Sequence, residues 1–204
     1  MIYNQKEALR LMCAREDDRE AANLCDLVYL KLRNDVQARH LIKRMNCDIW
    51  PDGVQVGEIF FKSASLAEYL KGCEEVLLFA ATLGPKVDGA MKRIMLNSLA
   101  EGNAAQAVAA SIIETYSNQV LDDYVTDGLV QLPRFSPGYG DWDLSEQKKF
   151  FQIMDCTKIG LTLTDSCMMV PMKSITAVVG LSKEKSSVHS SCEICGLENC
   201  LYRK

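Results

Sequence analysis

Residues 76–82 read Val-Leu-Leu-Phe-Ala-Ala-Thr, and this stretch decides the class of fold. It is an unbroken apolar run of strand length, which is typical of a central strand covered on both faces. A Gly-Pro pair at residues 84–85 ends the run, and Val87, Met91 and Ile94 then recur at helical spacing. We therefore predict a buried strand that is followed directly by a helix.

The segments on either side of this strand are of mixed type. Downstream, residues 98–124 form the longest predicted helix, which is rich in alanine, a residue that favours helix. Upstream, residues 54–61 are predicted to be extended, and residues 66–70 are predicted to form a short helix behind Ser63 or Ser65 as its N-cap. Residues 161–164 and 175–179 are again strand-like. Because strands and helices do not alternate regularly, we predict an α+β fold.

The first 50 residues, approximately, are predicted to be helical. Ala8 and Leu9 follow Asn4, a residue type that favours the N-cap position. Residues 24–32 form a second stretch with apolar side chains at helical spacing. His40 falls in a charged part of this region, so we expect its side chain to be solvated.

Composition and charge exclude several classes of protein. The 204 residues are 48% apolar, which suits one folded domain, and 23 basic against 27 acidic residues give a net charge of −4. An acidic chain without a basic block argues against non-specific nucleic-acid binding, which depends on neutralising phosphates. No apolar run approaches the roughly 18 residues of a membrane span, and residues 1–7 lack a signal-peptide pattern. We therefore expect a cytoplasmic protein that binds neither nucleic acid nor membrane.

Common catalytic motifs are absent from the sequence. It contains no G-x-G-x-x-G dinucleotide loop, no G-x-S-x-G elbow and no H-E-x-x-H zinc motif. Gly84 and Gly89 have P-loop spacing, but Ala90 and Met91 follow where Lys and Ser or Thr are required. With two histidines in the chain, a histidine-centred triad has little support.

The unusual segment is residues 134–142, Arg-Phe-Ser-Pro-Gly-Tyr-Gly-Asp-Trp. Pro137 and Gly138 set a tight turn, because proline fixes φ and glycine tolerates a positive φ. Arg134 offers a planar fork that suits a carboxylate. This segment is either a ligand-binding loop or a buried turn in which Arg134 forms a structural ion pair.

The same residues carry a resemblance to a known family. Residues 134–139, Arg-Phe-Ser-Pro-Gly-Tyr, resemble the R-x-x-P-G-Y signature of the activation domain of cobalamin-dependent methionine synthase. Residues 161–176, Leu-Thr-Leu-Thr-Asp-Ser-Cys-Met-Met-Val-Pro-Met-Lys-Ser-Ile-Thr, resemble the family's L-T-E-S-x-x-M-x-P-x-x-S-V-S run. Gly180 stands where the family has glycine. The resemblance spans about residues 54–182. Residues 63–82, with the alanine-rich helix that follows, resemble the free-standing, shortened forms of the domain.

The resemblance implies a division of the chain and a fold. A helical N-terminal segment would cover residues 1–53, an activation-like domain residues 54–185, and a Cys-rich tail residues 186–204. The domain would be a single α+β unit, built on a twisted antiparallel sheet that is flanked by helices.

The resemblance also implies a function. Members of the family bind S-adenosylmethionine and restore the oxidised cob(II)alamin of methionine synthase to methylcobalamin, using one electron and the methyl group of that ligand. A free-standing copy would act in trans on a synthase, or on a related corrinoid protein, which carries the cobalamin. An electron donor such as a flavodoxin or ferredoxin would be a further partner. The chain would then be a component of a methyltransferase and would need no catalytic residue of its own, because proximity supplies the catalysis.

Ligand-binding residues are carried over from the family motif one by one. Arg134 would pair with the ligand carboxylate, and the backbone of residues 135–138 (Phe135, Ser136, Pro137 and Gly138) would border the adenine. Tyr139 would line the same site. Glu114, on the alanine-rich helix, would take the ligand ammonium, with a solvated helix-face carboxylate as its alternative role.

The C-terminal tail has metal-ligand residue types at short spacing. His189, Cys192, Cys195 and Cys200 could close a tetrahedral zinc site, or the three thiolates could hold part of an iron–sulfur cluster. A redox-active or disulfide-bonded tail and a tail without a specific role stay open. Two other functions also stay open: a metal- or corrinoid-protein-binding accessory module without methyl transfer, and an independent methyltransferase acting on a small molecule.

Overall fold

The computed structural model describes residues 3–183, and a six-stranded antiparallel sheet lies at its centre. The strands in chain order are β1 (Arg39–Trp50), β2 (Gly53–Val56), β3 (Ile59–Lys62), β4 (Glu75–Thr82), β5 (Val130–Gln131), β6 (Thr162–Leu163), β7 (Met169–Val170) and β8 (Ser174–Ser182). The sheet has the order β3-β2-β1-β4-β8-β5, whereas β6 and β7 form a separate two-stranded hairpin. The predicted α+β class is therefore confirmed.

The predicted buried strand is the centre of this sheet. β4 pairs with β1 on one side and with β8 on the other, in register from Glu75 to Thr82. Residues 76–81 are fully buried, as expected for a strand covered on both faces. Alternate side chains point to opposite faces: Leu77 and Phe79 enter one core, and Leu78 and Ala80 enter the other.

Helices cover both faces of the sheet. They are α1 (Gln5–Leu11), α2 (Arg19–Leu32), α3 (Ala64–Tyr69), α4 (Pro85–Asn97), α5 (Leu99–Asp122) and α6 (Gln147–Ile153). Side chains of α1, α2, α4 and α5 form the core on one face, and those of α3 and α6 contribute to the core on the other. None of the helices between residues 3 and 183 combines the length and apolar character needed to cross a lipid bilayer.

Serine caps explain where the helices α5 and α3 begin. The Ser98 side chain accepts a hydrogen bond from the Glu101 amide at the start of α5, the predicted long helix. The Ser63 side chain accepts one from the Leu66 amide at the start of α3, the predicted short helix. Serine at the N-cap satisfies amide groups that have no partner within the helix.

The prediction of helix over the first 50 residues is correct for α1 and α2 and wrong for β1. In β1 the side chains of Leu41, Met45 and Ile49 pack on the same core as α3. Apolar residues at every second position are typical of a strand, but Lys43 interrupts this alternation. The remaining pattern is therefore too weak to predict a strand from the sequence. Because β1 pairs with both β2 and β4, it belongs to the same sheet as the segments that follow it. The division of the chain at residues 53 and 185 stays a prediction.

His40 lies on β1 rather than on a helix. Its side chain is exposed, and Nδ1 lies 2.7 Å from the Tyr116 hydroxyl of α5. The expectation of a surface histidine is therefore confirmed, although the element that carries it was predicted wrongly.

Candidate functional site

The predicted ligand loop runs along the outer edge of the sheet. After β5, the Leu132 amide donates to the Gly180 carbonyl at 2.9 Å, and Phe135 and Val178 exchange two backbone hydrogen bonds of 2.9 and 2.8 Å. Residues 132–135 thus follow β8 as an irregular edge strand. Consecutive side chains of an extended segment point to opposite faces, so Arg134 reaches the helix α5 and Phe135 enters the core beneath α3.

Arg134 and Glu114, two residues predicted to bind the ligand, lie in direct contact. The Arg134 guanidinium donates to Glu114 Oε2 at 2.7 Å and to Asn118 Oδ1 at 2.9 Å. Glu114 and Asn118 are four residues apart on α5 and therefore share one face of the helix. The structural ion pair considered as an alternative role for Arg134 is present, and the sequence-based prediction missed Asn118, which the spacing from Glu114 would have indicated.

The pair is partly accessible, which matters for its chemistry. The side chains of Arg134 and Glu114 are 15% and 33% exposed. Solvent screens these charges less than it screens charges on an open surface, so their electrostatic interactions with a ligand are stronger here. A guanidinium beside a carboxylate presents both charges needed to bind the carboxylate and ammonium of an amino-acid ligand.

Phe135 anchors the loop to the core. Its side chain is fully buried, and its ring stacks on Tyr69 at 4.9 Å and on Trp142 at 6.2 Å between centroids. Tyr139 meets the Phe135 ring edge-on at 5.7 Å and is itself 38% exposed. Any contact of Phe135 with a ligand must therefore involve its backbone, as the resemblance implies, while Tyr139 is accessible.

The tight turn forms where it was predicted. Gly138 has a φ of 95°, so the expected positive φ is confirmed. Its amide donates to the Trp142 carbonyl at 2.7 Å, and the Tyr139 amide donates to the Ser136 carbonyl at 3.0 Å. Pro137 is buried and Ser136 half-buried, so the turn exposes mainly residues 138–141. The ligand contacts assigned to these residues stay predictions.

Two residues that the sequence did not single out hold this loop, Tyr69 and Asp141. The Tyr69 hydroxyl donates to the Pro133 carbonyl and accepts from the Gly180 amide at 3.4 Å. The Asp141 carboxylate accepts from the Ser63 hydroxyl at 2.6 Å and from the amides of Ala64 and Ser65, both at 2.9 Å. Burial opposes ionisation of Asp141, but these hydrogen bonds lower its pKa to about 2.

Gly180 shows why this part of the structure is so closely packed. A Cβ at that position would lie 2.8 Å from the side chains of Leu70, Cys73 and Leu132. Real Cβ atoms do not approach other atoms so closely, so the approach of α3 and the loop to β8 requires glycine. This is a physical reason for the glycine that the resemblance places there.

An open pocket of about 290 Å³ adjoins the far end of the loop. Four carboxylates and one cation line it: Asp52, Asp141, Asp143, Glu146 and Lys62. The pocket includes neither Arg134 nor Glu114. Because its lining is mostly acidic, it disfavours a ligand carboxylate, and the surface beside Arg134 is the better candidate site.

The predicted metal ligands His189, Cys192, Cys195 and Cys200 lie outside the described residues. Within residues 3–183, no group of three or more His, Cys, Asp or Glu side chains is arranged to hold a metal ion.

Comparisons with known proteins concern the family and the fold of the chain. A family model described as "Vitamin B12 dependent methionine synthase, activation domain" matches residues 88–196, more than half of the chain. No curated protein sequence matches. Among solved structures, a "MetH Reactivation Domain bound to AdoHcy" matches with a TM-score of 0.59 and 14% identity, over 88% of this chain and 70% of that chain. At that identity the likeness establishes a shared fold.

Proposed function

The chain belongs to the family of the vitamin B12-dependent methionine synthase activation domain, and on that premise we propose that it binds S-adenosylmethionine and supports, in trans, the reductive methylation of the cob(II)alamin form of a methionine synthase. The family supports the ligand class and the corrinoid partner. The solved structure of similar fold holds AdoHcy, the product that S-adenosylmethionine leaves after it gives up its methyl group. The free-standing role and the electron donor, a flavodoxin or ferredoxin, are part of the proposal.

The Arg134–Glu114 pair is the observation that carries this proposal. The amino-acid end of S-adenosylmethionine has one carboxylate and one ammonium attached to the same carbon. Arg134 would receive the carboxylate and Glu114 the ammonium. The 2.7 Å contact between the two side chains supports this assignment, because one amino-acid group could then reach both charges. Asn118, bonded to the same guanidinium, would keep Arg134 on this side of the loop.

The remaining contacts would position the nucleoside. The exposed turn at residues 138–141 offers backbone groups at the sheet edge, and Tyr139 offers an accessible ring beside it. An aromatic face next to a tight turn suits a flat, weakly polar base. The sulfonium methyl would then lie at the surface, where a partner protein can reach it.

No acid or base is required of this chain in the proposed reaction. S-adenosylmethionine supplies a methyl group on a positively charged sulfur, and the reduced cobalt of the partner accepts it. What Arg134, Glu114 and the loop contribute is binding and orientation. This agrees with the lack of a histidine-centred or nucleophilic motif in the sequence.

Calorimetric titration of the full chain tests ligand binding. We expect S-adenosylmethionine and AdoHcy to bind with comparable affinity. Adenosine should bind at least about tenfold more weakly, because it lacks the amino-acid end that Arg134 and Glu114 would hold. Equal binding of adenosine and AdoHcy would contradict the assigned role of the pair. Absence of binding at millimolar ligand would contradict the proposed function.

A second experiment tests action in trans. The chain, a methionine synthase fragment that retains its cobalamin but lacks an activation domain, and an electron donor are mixed with S-adenosylmethionine. We expect the absorption spectrum of cob(II)alamin to convert to that of methylcobalamin, and omission of this chain to stop the conversion. Binding to the corrinoid fragment without conversion, and without affinity for S-adenosylmethionine, would favour the accessory-module alternative.

The C-terminal tail is proposed as a metal or cluster site, held by Cys192, Cys195, Cys200 and His189. Thiolate and imidazole ligands within twelve residues could organise one ion locally. Protein purified without oxygen should then contain near-stoichiometric zinc or iron, which the substitution Cys195→Ser should remove. Metal analysis that finds neither element would withdraw this part of the proposal.

A further inference from the structure

We propose that the short helix α3 positions the ligand-binding loop, with Tyr69 and Asp141 as positioning residues that hold the loop on either side of its turn. The inference rests on the proposed function of the Arg134 loop. Neither side chain is expected to touch the ligand. Their role is to keep Arg134 and the turn in the geometry that binds it.

The first attachment lies directly beside Arg134. Tyr69 is the last residue of α3, and its hydroxyl donates to the carbonyl of Pro133, the residue before Arg134. The Tyr69 ring stacks on the ring of Phe135, the residue after Arg134, with 4.9 Å between centroids. Tyr69 therefore contacts both neighbours of Arg134 and restricts the backbone from which that side chain projects.

The second attachment lies at the other end of the loop and of the helix. Asp141 accepts three hydrogen bonds from the beginning of α3, from Ser63, Ala64 and Ser65. The Asp141 amide in turn donates to the Ser65 hydroxyl at 3.3 Å. These contacts hold the segment that follows Gly138 and Tyr139 against the helix.

The helix itself is firmly fixed to the rest of the molecule. Leu66, Tyr69 and Leu70 are 2% exposed or less and belong to the core beneath the sheet. An element that is rigid at both ends can hold a loop in one conformation. A loop that is ordered before binding gives a higher affinity than a loop that the ligand must order, because less conformational entropy is lost on binding.

The experiment compares Tyr69→Phe with the wild-type chain. The substitution removes the hydroxyl but keeps the ring that stacks on Phe135. Tyr3→Phe is the matched control, since it also removes one tyrosine hydroxyl hydrogen bond, to Asp26 of α2, and that bond involves neither α3 nor the loop. Affinity for S-adenosylmethionine is measured by calorimetry at a temperature where all variants are folded.

Loop order is followed independently through Trp142. The chain has two tryptophans, Trp142 and the exposed Trp50, so all variants carry Trp50→Phe. Trp142 is 1% exposed and packs on Phe135, so acrylamide quenching of its fluorescence reports whether the loop stays closed.

We expect Tyr69→Phe to weaken binding roughly three- to tenfold, the range that corresponds to one net hydrogen bond. Trp142 should become more accessible to acrylamide, and saturating S-adenosylmethionine should return it to the wild-type value, because the ligand binds the ordered loop. Tyr3→Phe should change neither quantity. A role confined to stability would lower the unfolding temperature and leave affinity and quenching unchanged, and that result would overturn the inference.

Two further measurements keep the inference separate from the proposed function and from simple misfolding. If the wild-type chain does not bind S-adenosylmethionine, the proposed function fails, and Trp142 quenching alone still decides whether Tyr69 holds the loop. If Tyr69→Phe does not fold, Asp141→Asn tests the other attachment by the same two readouts. Unchanged affinity and quenching in Asp141→Asn would then overturn the inference.

Discussion

At the scale of single residues, Arg134 is bound to two side chains of α5 and is expected to exchange part of this contact for a ligand carboxylate. Arg134→Ala should weaken S-adenosylmethionine binding at least roughly tenfold, because it removes the cation that would face the ligand carboxylate. Arg93→Ala is the control, since Arg93 is an exposed arginine of the helix α4 that forms an ion pair with Asp35. Dissociation constants within twofold of each other for wild type and Arg134→Ala would refute the assignment.

Gly138 tests whether the turn requires glycine for its backbone conformation. The nearest atom to a Cβ built there is Leu144 Cδ1 at 3.9 Å, so space is available, but the φ of 95° disfavours every L-residue with a side chain. We expect Gly138→Ala to lower the free energy of unfolding by about 1–2 kcal/mol and to weaken ligand binding.

Gly89→Ala is the matched control for that experiment. Gly89 lies within the helix α4, where the nearest atom to an added Cβ is 3.5 Å away. Alanine in a helix is favoured over glycine by roughly 0.5–1 kcal/mol, so this substitution should be neutral or stabilising. Both free energies of unfolding are measured by urea denaturation. If Gly89→Ala destabilised the protein as Gly138→Ala does, the positive φ of Gly138 would not explain the destabilisation.

At the scale of elements, the connection between α3 and the loop depends on the charge of Asp141. Its pKa is lowered from 3.8 to about 2 in the folded protein, so the unfolded chain binds more protons between these values. The stabilisation by Asp141 is therefore present above about pH 4 and is lost as the pH falls towards 2.

Acid denaturation of Asp141→Asn measures this contribution. The difference in unfolding free energy between wild type and variant should be largest near neutral pH and should shrink as the pH falls through the window from 3.8 to about 2. Asp165→Asn, in an exposed turn of the β6–β7 hairpin, serves as the control. A difference that is constant with pH would contradict the conclusion that ionised Asp141 stabilises the contact with α3.

At the scale of the whole molecule, the N-terminal helices share a core with the rest of the protein. Val28 and Leu32 of α2 are fully buried in the cluster that also contains Phe79 of β4 and Val108 of α5. The Asn4 backbone exchanges two 2.8 Å hydrogen bonds with the Ser111 hydroxyl of α5. We therefore expect residues 3–183 to unfold as one cooperative unit.

A pair of substitutions in α2 tests this expectation. Leu32→Ala should lower the free energy of unfolding by about 2–5 kcal/mol, the usual cost of a cavity, whereas Leu30→Ala, at a position 55% exposed, should change it by less than about 0.5 kcal/mol. In Leu32→Ala the helical signal and Trp142 fluorescence should be lost at the same urea concentration. Two separate transitions would instead support a boundary near residue 53.

Local patterns in the sequence determined β4, α5, α3 and the turn at Gly138. Each depends on neighbouring residues: an apolar run of strand length, alanine at helical positions, a serine N-cap, and a Pro-Gly pair. The R-x-x-P-G-Y resemblance predicts Arg134 as a ligand-binding residue, because a family signature is itself a local pattern, whereas Glu114 lies outside that signature. The sequence did not predict β1, because charged residues interrupt its alternating apolar residues. Its strand conformation depends on pairing with β2 and β4.

Only the tertiary structure decided which residues meet at the site. Arg134 contacts Glu114 across 20 positions of the chain, Tyr69 contacts Pro133 across 64, and Ser63 contacts Asp141 across 78. Such contacts carry no local signal, because the sequence separation between two side chains does not limit how closely the sheet and its helices bring them together. The ion pair, the support of the loop by α3, and the close approach that requires Gly180 therefore follow from the packing of the whole molecule.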